Sequence, residues 1–201
     1  MLVLVSGGGT NLQALIDAEQ SGALGDGRIV LVISDREGVY ALERARLAGI
    51  PGGVEAPDRS LPRQARRREL SDRILALARG RGIGLIILAG FLSILGGEII
   101  GAYAGRIINL HPALLPKYGG KGMYGEYVHR AVLAAGEGES GCTVHLVDGG
   151  TDTGPILLQR RVPVLAGDSP ESLARRIHGE EHRAIVEAAV LMVKRLGGRA
   201  Y

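Results

Sequence analysis

Apolar residues along this chain follow two rhythms. Leu2-Val3-Leu4-Val5, the run Ile29 to Ile33, Leu85-Ile86-Ile87-Leu88-Ala89 and the run Arg106 to Leu110 are short and almost unbroken, the pattern of strands covered on both faces. Between them apolar positions recur three and four apart, the spacing of one helix face. Leu12, Leu15 and Ile16 mark a helix that starts at Thr10. Residues 41–48 give a second helix, and Leu70, Ile74, Leu77 and Ala78 mark a third over residues 63–79. A short strand surrounds Val54. Strands alternating with helices predict a parallel sheet with right-handed crossovers.

The second half of the chain reads differently. Tyr118 to Gly125 is rich in glycine and is expected to be mobile, and residues 127–135 read as a helix. Cys142 to Val147 and Ile156 to Val164 read as strands separated by the loop Asp148 to Pro155. Ser169, with Pro170 at the first helical position, caps a long final helix. The expected fold is α/β: a Rossmann-like, mostly parallel sheet flanked by helices, with antiparallel strands at the C-terminal end. No linker or repeat divides residues 1–201, so one domain is expected.

Composition narrows the function classes. With 46% hydrophobic residues the chain can bury a sizeable core, and its 32 glycines are spread out, which points to turns and close backbone approaches. The net charge is +3, compatible with an anionic small substrate. Aromatics are only 3%, and charge is not strongly segregated, which argues against nucleic acid as a partner. The one local basic run, Arg63, Arg66, Arg67, Arg68 and Arg73, reads mainly as a solvated helix face from which one arginine can reach a phosphate. Cys142 is the single cysteine, expected to be buried, and excludes a disulfide framework or a cysteine-based zinc site. No targeting or membrane-spanning segment is visible, so a cytoplasmic protein without a membrane partner is expected.

The chemistry concentrates in the run Ile107 to Pro116. Asn109 and His111, two apart on a strand, point to one side, and Pro112 and Pro116 stiffen the exit. An amide that donates to an oxyanion beside an imidazole that carries a proton near neutral pH suits acyl transfer. Asp152 lies in a glycine-rich loop ahead of Gly154-Pro155. Folded over His111, its carboxylate would orient the imidazolium and raise its pKa. Asp148 is the rival acid, and Asp152 is preferred because the following Gly-Pro constrains its backbone. The loop Ser6-Gly7-Gly8-Gly9-Thr10-Asn11 joins a buried strand to a helix N-terminus, where free N–H groups and the helix dipole favour an anion. His145 is expected on the Thr143 face of its strand, either lining the site or structural. His129 is expected at the surface. His178, Glu181 and His182 share a helix face; without a further ligand this spacing does not make a convincing metal site, and Glu181 suits a substrate ammonium.

These pieces, in this order, resemble the folate-dependent phosphoribosylglycinamide formyltransferases over almost the whole chain. The markers are Ser6 to Gln13, Leu42-Glu43-Arg44-Ala45-Arg46, Leu88-Ala89-Gly90-Phe91, Asn109 to Pro116, Asp152-Thr153-Gly154-Pro155 and Glu181-His182. The resemblance implies formyl transfer from the cosubstrate 10-formyltetrahydrofolate to the amine of glycinamide ribonucleotide, in purine biosynthesis and without a metal. It implies that Asn109 and protonated His111 stabilise the oxyanion with help from Asp152. Gly9, Thr10 and Asn11, assisted by Arg63, would hold the ribotide phosphate, and Glu181 would meet the glycinamide end. Leu92, Ile94, Leu95 and Val147 would form the folate wall, with the loop at Asp148 and Gly150 reading the pterin. Residues 1–100 would form the ribotide-binding half and residues 101–201 the catalytic and folate-binding half, in a monomer or homodimer. Ser93 stands where many members of that family carry arginine. Methionyl-tRNA formyltransferases and formyltetrahydrofolate hydrolases share the Asn-His-Asp chemistry, but are expected to need an added C-terminal or N-terminal domain. A phosphate-binding module without catalysis is the reading from another class.

Overall fold

A computed structural model describes residues 1–197. The chain runs β1 (Leu2–Val5), α1 (Thr10–Gln20), β2 (Leu31–Ser34), α2 (Tyr40–Leu47), β3 (Gly52–Val54), α3 (Arg63–Gly80), β4 (Ile86–Leu88), α4 (Glu98–Ala102), β5 (Ile107–His111), α5 (Glu126–Ala134), β6 (Glu139–Leu146), β7 (Ile156–Pro163) and α6 (Pro170–Gly197). The strands form one sheet in the order β3-β2-β1-β4-β5-β6-β7. The first five are parallel, and β6 and β7 are antiparallel additions.

The unbroken apolar runs occupy the centre of the sheet because both of its faces are covered. Val3, Val5, Ile87, Ile108 and Leu110 pack on one side with Leu12, Leu15, Ala41, Val132, Ile177 and Ile185 of α1, α2, α5 and α6. Leu2, Leu4, Ile86, Leu88 and Ile107 pack on the other with Leu70, Ile74 and Ile99 of α3 and α4. Each fully buried Leu or Ile contributes about 1.5–3 kcal/mol from apolar burial, so the alternation fixes which side every strand residue faces. At the start of α6, Ser169 Oγ accepts from the Ser172 N–H at 3.2 Å, while Ser172 Oγ accepts from the Ser169 N–H at 2.9 Å. This reciprocal cap satisfies donors the helix leaves free.

Three local features depart from the sequence pattern. The five-residue α4 follows Gly97 and carries too short a period to register in the sequence. β6 begins at Glu139, because pairing with β7 extends it through Ser140 and Gly141. His129, expected at the surface, is 3% exposed: Val128, His129 and Val132 form the inward stripe of α5.

The β6–β7 pair brings backbones into unusually close approach. A Cβ on Gly141 would lie 1.9 Å from the Arg160 carbonyl oxygen and 2.9 Å from Leu114 Cδ2. Gly141→Ala is therefore expected to lower stability by about 1–3 kcal/mol in urea unfolding, and an unchanged midpoint would contradict this packing.

His129 gives the fold a pH dependence. Burial pushes its imidazole below the ordinary value, the nearby His178 and His111 push the same way, and Glu126 opposes them. The unfolded chain binds more protons in the window below about 6.5, so stability is complete above that value and is lost as pH falls through the folded value. The urea midpoint of His129→Leu should fall less than that of the unsubstituted protein between about pH 7.5 and 5.5; equal losses would remove His129 as a cause.

Candidate active site

The sheet grows in opposite directions from β1 and β4, toward β3 on one side and β7 on the other. Loops leaving these two parallel strands therefore part and open a crevice at their C-terminal ends, the usual ligand position in such sheets. Ser6 Oγ, just after β1, accepts from the Leu92 N–H at 2.8 Å and ties the two loops together. A cavity of about 460 Å³ opens here, lined by Asn11, Arg63, Asn109, His111, Asp152 and Glu181 among others.

Asn109 and His111 project to one side of β5, opposite His145 and Thr143 in the antiparallel register. The loop between β6 and β7 brings Asp152 over them. Its carboxylate is shared. Oδ1 lies 3.4 Å from Asn109 Nδ2 and 3.5 Å from His145 Nε2. Oδ2 accepts from the Gly120 N–H at 2.9 Å and lies 3.6 Å from His111 Nδ1. The loop's position depends on Gly154, where a Cβ would stand 1.9 Å from the Leu146 carbonyl oxygen. Asp152 and Tyr118 are both left-handed, with φ of 57° and 56°. That conformation costs a non-glycine residue about 1–2 kcal/mol, and here it adjoins the site at both positions.

Backbone carbonyls fix one hydrogen on each of the two rings. His145 Nδ1 is 2.9 Å from the Leu146 carbonyl, which can only accept, so Nδ1 carries hydrogen. Nε2 lies 3.1 Å from Asn109 Nδ2 and 3.5 Å from Asp152 Oδ1, so the amide, the ring and the carboxylate meet at one point. His111 Nε2 donates to the Tyr118 carbonyl at 2.7 Å, leaving Nδ1 toward Asp152.

The electrostatics revise one expectation. Burial pushes His111 below the ordinary histidine value and outweighs the upward pull of Asp152 and the Tyr118 carbonyl. The aspartate does favour the imidazolium, but the net direction is down, toward the neutral ring with Nδ1 beside Asp152. Burial also pushes the Asp152 carboxyl up. Hydrogen bonding to His145 and to the Gly120 N–H, with the attraction of His111 and His145 in their protonated forms, outweighs it and leaves the group below its ordinary value.

The other candidate positions surround this centre. Gly9 is left-handed at 74° and precedes α1; Asn11, one residue past Thr10, reaches the cavity. Asn11 Nδ2 donates to Glu181 Oε2 at 3.3 Å across to α6. Burial raises the Glu181 carboxyl, against the opposing effects of His178 and Asn11. Arg63 lines the same cavity from the opposite layer, at the start of α3. Of its neighbours in the basic run, Arg67 donates to the Leu95 carbonyl and Arg73 to that of Ala56. Leu92, Ile94, Leu95, Val147 and Gly150 line the apolar side. Asp148 stands beside the lining, its carboxylate accepting from Thr153 Oγ1 at 2.7 Å and the Gly150 N–H at 2.9 Å. Ser93 donates to the buried Asp35 at 2.7 Å.

Four contributors had no part in the site as read from the sequence. His129 lines the cavity, and its position three residues before Val132 was the available signal. The backbone partners at Tyr118 and Gly120 left no side-chain signal. His178 also lines the cavity, 3.8 Å from Glu181. Among the described residues no group of three or more His, Cys, Asp or Glu is arranged to hold a metal ion, and no helix is long and apolar enough to cross a membrane.

Comparison with known proteins gives this geometry a family. The formyl transferase profile matches residues 1–189. The trifunctional purine biosynthetic protein adenosine-3 of Drosophila melanogaster is 46% identical over 192 residues, covering 95% of this chain but 14% of the fly protein. The chain thus spans a small part of the multifunctional relatives. The phosphoribosylglycinamide formyltransferase of Escherichia coli (strain K12) is 40% identical, with 90% of this chain and 81% of that protein covered. The crystal structure of glycinamide ribonucleotide transformylase 1 from Symbiobacterium toebii superposes with a TM-score of 0.85 at 42% identity, covering 96% of this chain and 86% of that one. With nearly its whole length matched in sequence and in fold, the chain belongs to the formyl transferase family.

Proposed function

We propose that this protein transfers the formyl group of 10-formyltetrahydrofolate to the amine of glycinamide ribonucleotide. The observation that carries the reading is the single Asp152 carboxylate within 3.4–3.6 Å of Asn109, His145 and His111 in one cavity. The similarity to relatives named for this reaction supports the choice of substrates.

The substrate amine attacks the formyl carbon, a new C–N bond forms, and the carbonyl electrons move onto oxygen. Asn109 turns an N–H from the 3.4 Å contact with Asp152 toward that oxygen. His111, neutral at rest, takes the proton shed by the amine at Nδ1. The resulting imidazolium faces Asp152 and stabilises the oxyanion. Collapse breaks the bond to N10 of the folate, which receives the proton, so the formyl group and one proton exchange places. Gly9, Thr10 and Asn11 hold the ribotide phosphate through the free N–H groups opening α1. Glu181 receives the glycinamide end. Leu92, Ile94, Leu95 and Val147 take the folate ring system, with the loop at Asp148 and Gly150 reading its pterin edge. Arg63, on the far wall, supplies a cation to an anionic group of either substrate.

An absorbance assay of tetrahydrofolate release, with and without glycinamide ribonucleotide, tests this directly. Asn109→Ala should lose about 10²–10³ in kcat, and His111→Ala or Asp152→Asn about 10²–10⁴. All three should remain folded. Release without ribotide would point to hydrolysis of the formyl folate, and no release from folded protein would leave a phosphate-binding module.

A further inference from the structure

The marker Leu42 to Arg46 takes no part in the proposed chemistry, yet its helix grips the glycine loop. Arg44 Nε donates to the Gly8 carbonyl at 2.8 Å, and Nη1 donates to Gln13 Oε1 at 3.0 Å. The Ala41 N–H donates to the Gly7 carbonyl at 3.2 Å. Gly9 meets the same helix so closely that a Cβ there would stand 2.7 Å from Ala41 Cβ. Tyr40 supports the guanidinium from the side, its ring centroid 4.9 Å from Cζ.

These contacts have a directional consequence. A trans peptide points its C=O and its following N–H in opposite directions. With the Gly7 and Gly8 carbonyls turned to α2, the N–H groups of Gly8 and Gly9 turn away from it. Neither donates to another group among the described residues. They join the unpaired first-turn N–H groups of α1, and successive N–H groups through a left-handed residue form a concave anion nest. Asn11 Oδ1, in the same turn, is buried without a partner. Among the described residues Arg44 is the one side chain that holds the nest's backbone from outside while also reaching α1 through Gln13.

We propose that Arg44 is a positioning residue for the ribotide phosphate, holding the Gly8 carbonyl back so that the loop's N–H groups face the anion. The proposal rests on the phosphate role given above to Gly9, Thr10 and Asn11. Lysine at this position keeps the charge but lacks the planar fork that serves Gly8 and Gln13 together.

The test combines calorimetric binding of ribose 5-phosphate with steady-state kinetics for Arg44→Ala, Arg44→Lys and the control Leu47→Ala, which alters an exposed residue of the same helix. Arg44→Ala should weaken ribose 5-phosphate and raise the KM for glycinamide ribonucleotide by the same factor, about tenfold or more for a lost charged hydrogen bond. The kcat and the KM for formyl folate should stay within about twofold. Arg44→Lys should recover part of the loss, and Leu47→Ala should resemble the unsubstituted protein. Ribose 5-phosphate binding unchanged in Arg44→Ala, absent from the unsubstituted protein, or weakened equally by Leu47→Ala would overturn the proposal. Weakened ribose 5-phosphate binding in Arg44→Ala without formyl transfer by any form would uphold the role of Arg44 and remove the proposed reaction instead.

Discussion

One carboxylate joins the parts of this cavity. Asp152 reaches Asn109 and His111 on β5, His145 on β6 and the Gly120 N–H in the loop that follows β5. Its side chain is only 12% exposed, so these contacts act with little screening by water. A buried carboxylate left without them would be costly. The left-handed turn at Asp152 is a local strain that this set of partners offsets. Replacing the acid therefore changes more than a charge: it frees the Asn109 amide, one side of His111 and the anchor of the glycine-rich loop.

The sheet allows the proposed chemistry and the proposed phosphate binding to adjoin without sharing residues. β1 and β4 are neighbours whose following loops run to different layers. The glycine loop leads into α1, beside α6 and Glu181. The loop after β4 lies with α3, Leu95 and Phe91 in the other core. β5, next in the sheet, delivers Asn109 and His111 between them, and its antiparallel partner β6 returns toward the Asp152 loop. Two substrates approaching from the two layers would meet at the strand end that carries the Asn-His pair, the arrangement a transfer reaction needs.

Legibility in the sequence followed the range of the interactions. The unbroken apolar runs named the inner strands because burial on both faces is written into consecutive residues. Asn109 and His111 stood out because a period of two puts them together. Asp152 was reachable through Gly154-Pro155, which narrows its backbone, and Ser169-Pro170 marked the start of α6. Features that depend on distant partners were hidden. His129 is buried because α5 settles against the core and His178 lies near it, which no local pattern states. The lowered His111 value arises from burial by the whole site. The caps on His111 and Asp152 come from backbone at Tyr118 and Gly120, where the side chains carry no message. Arg44 was visible as part of a marker, but its grip on Gly8 spans 36 residues of sequence.

Burial and Asp152 together set the proton affinity of His111. An NMR titration of the His111 ring, in the unsubstituted protein and in Asp152→Asn, tests it most directly. The midpoint should lie below the ordinary histidine value of about 6.5 and move lower still when the carboxylate is neutralised. A midpoint above that value, or one that does not move in Asp152→Asn, would contradict it.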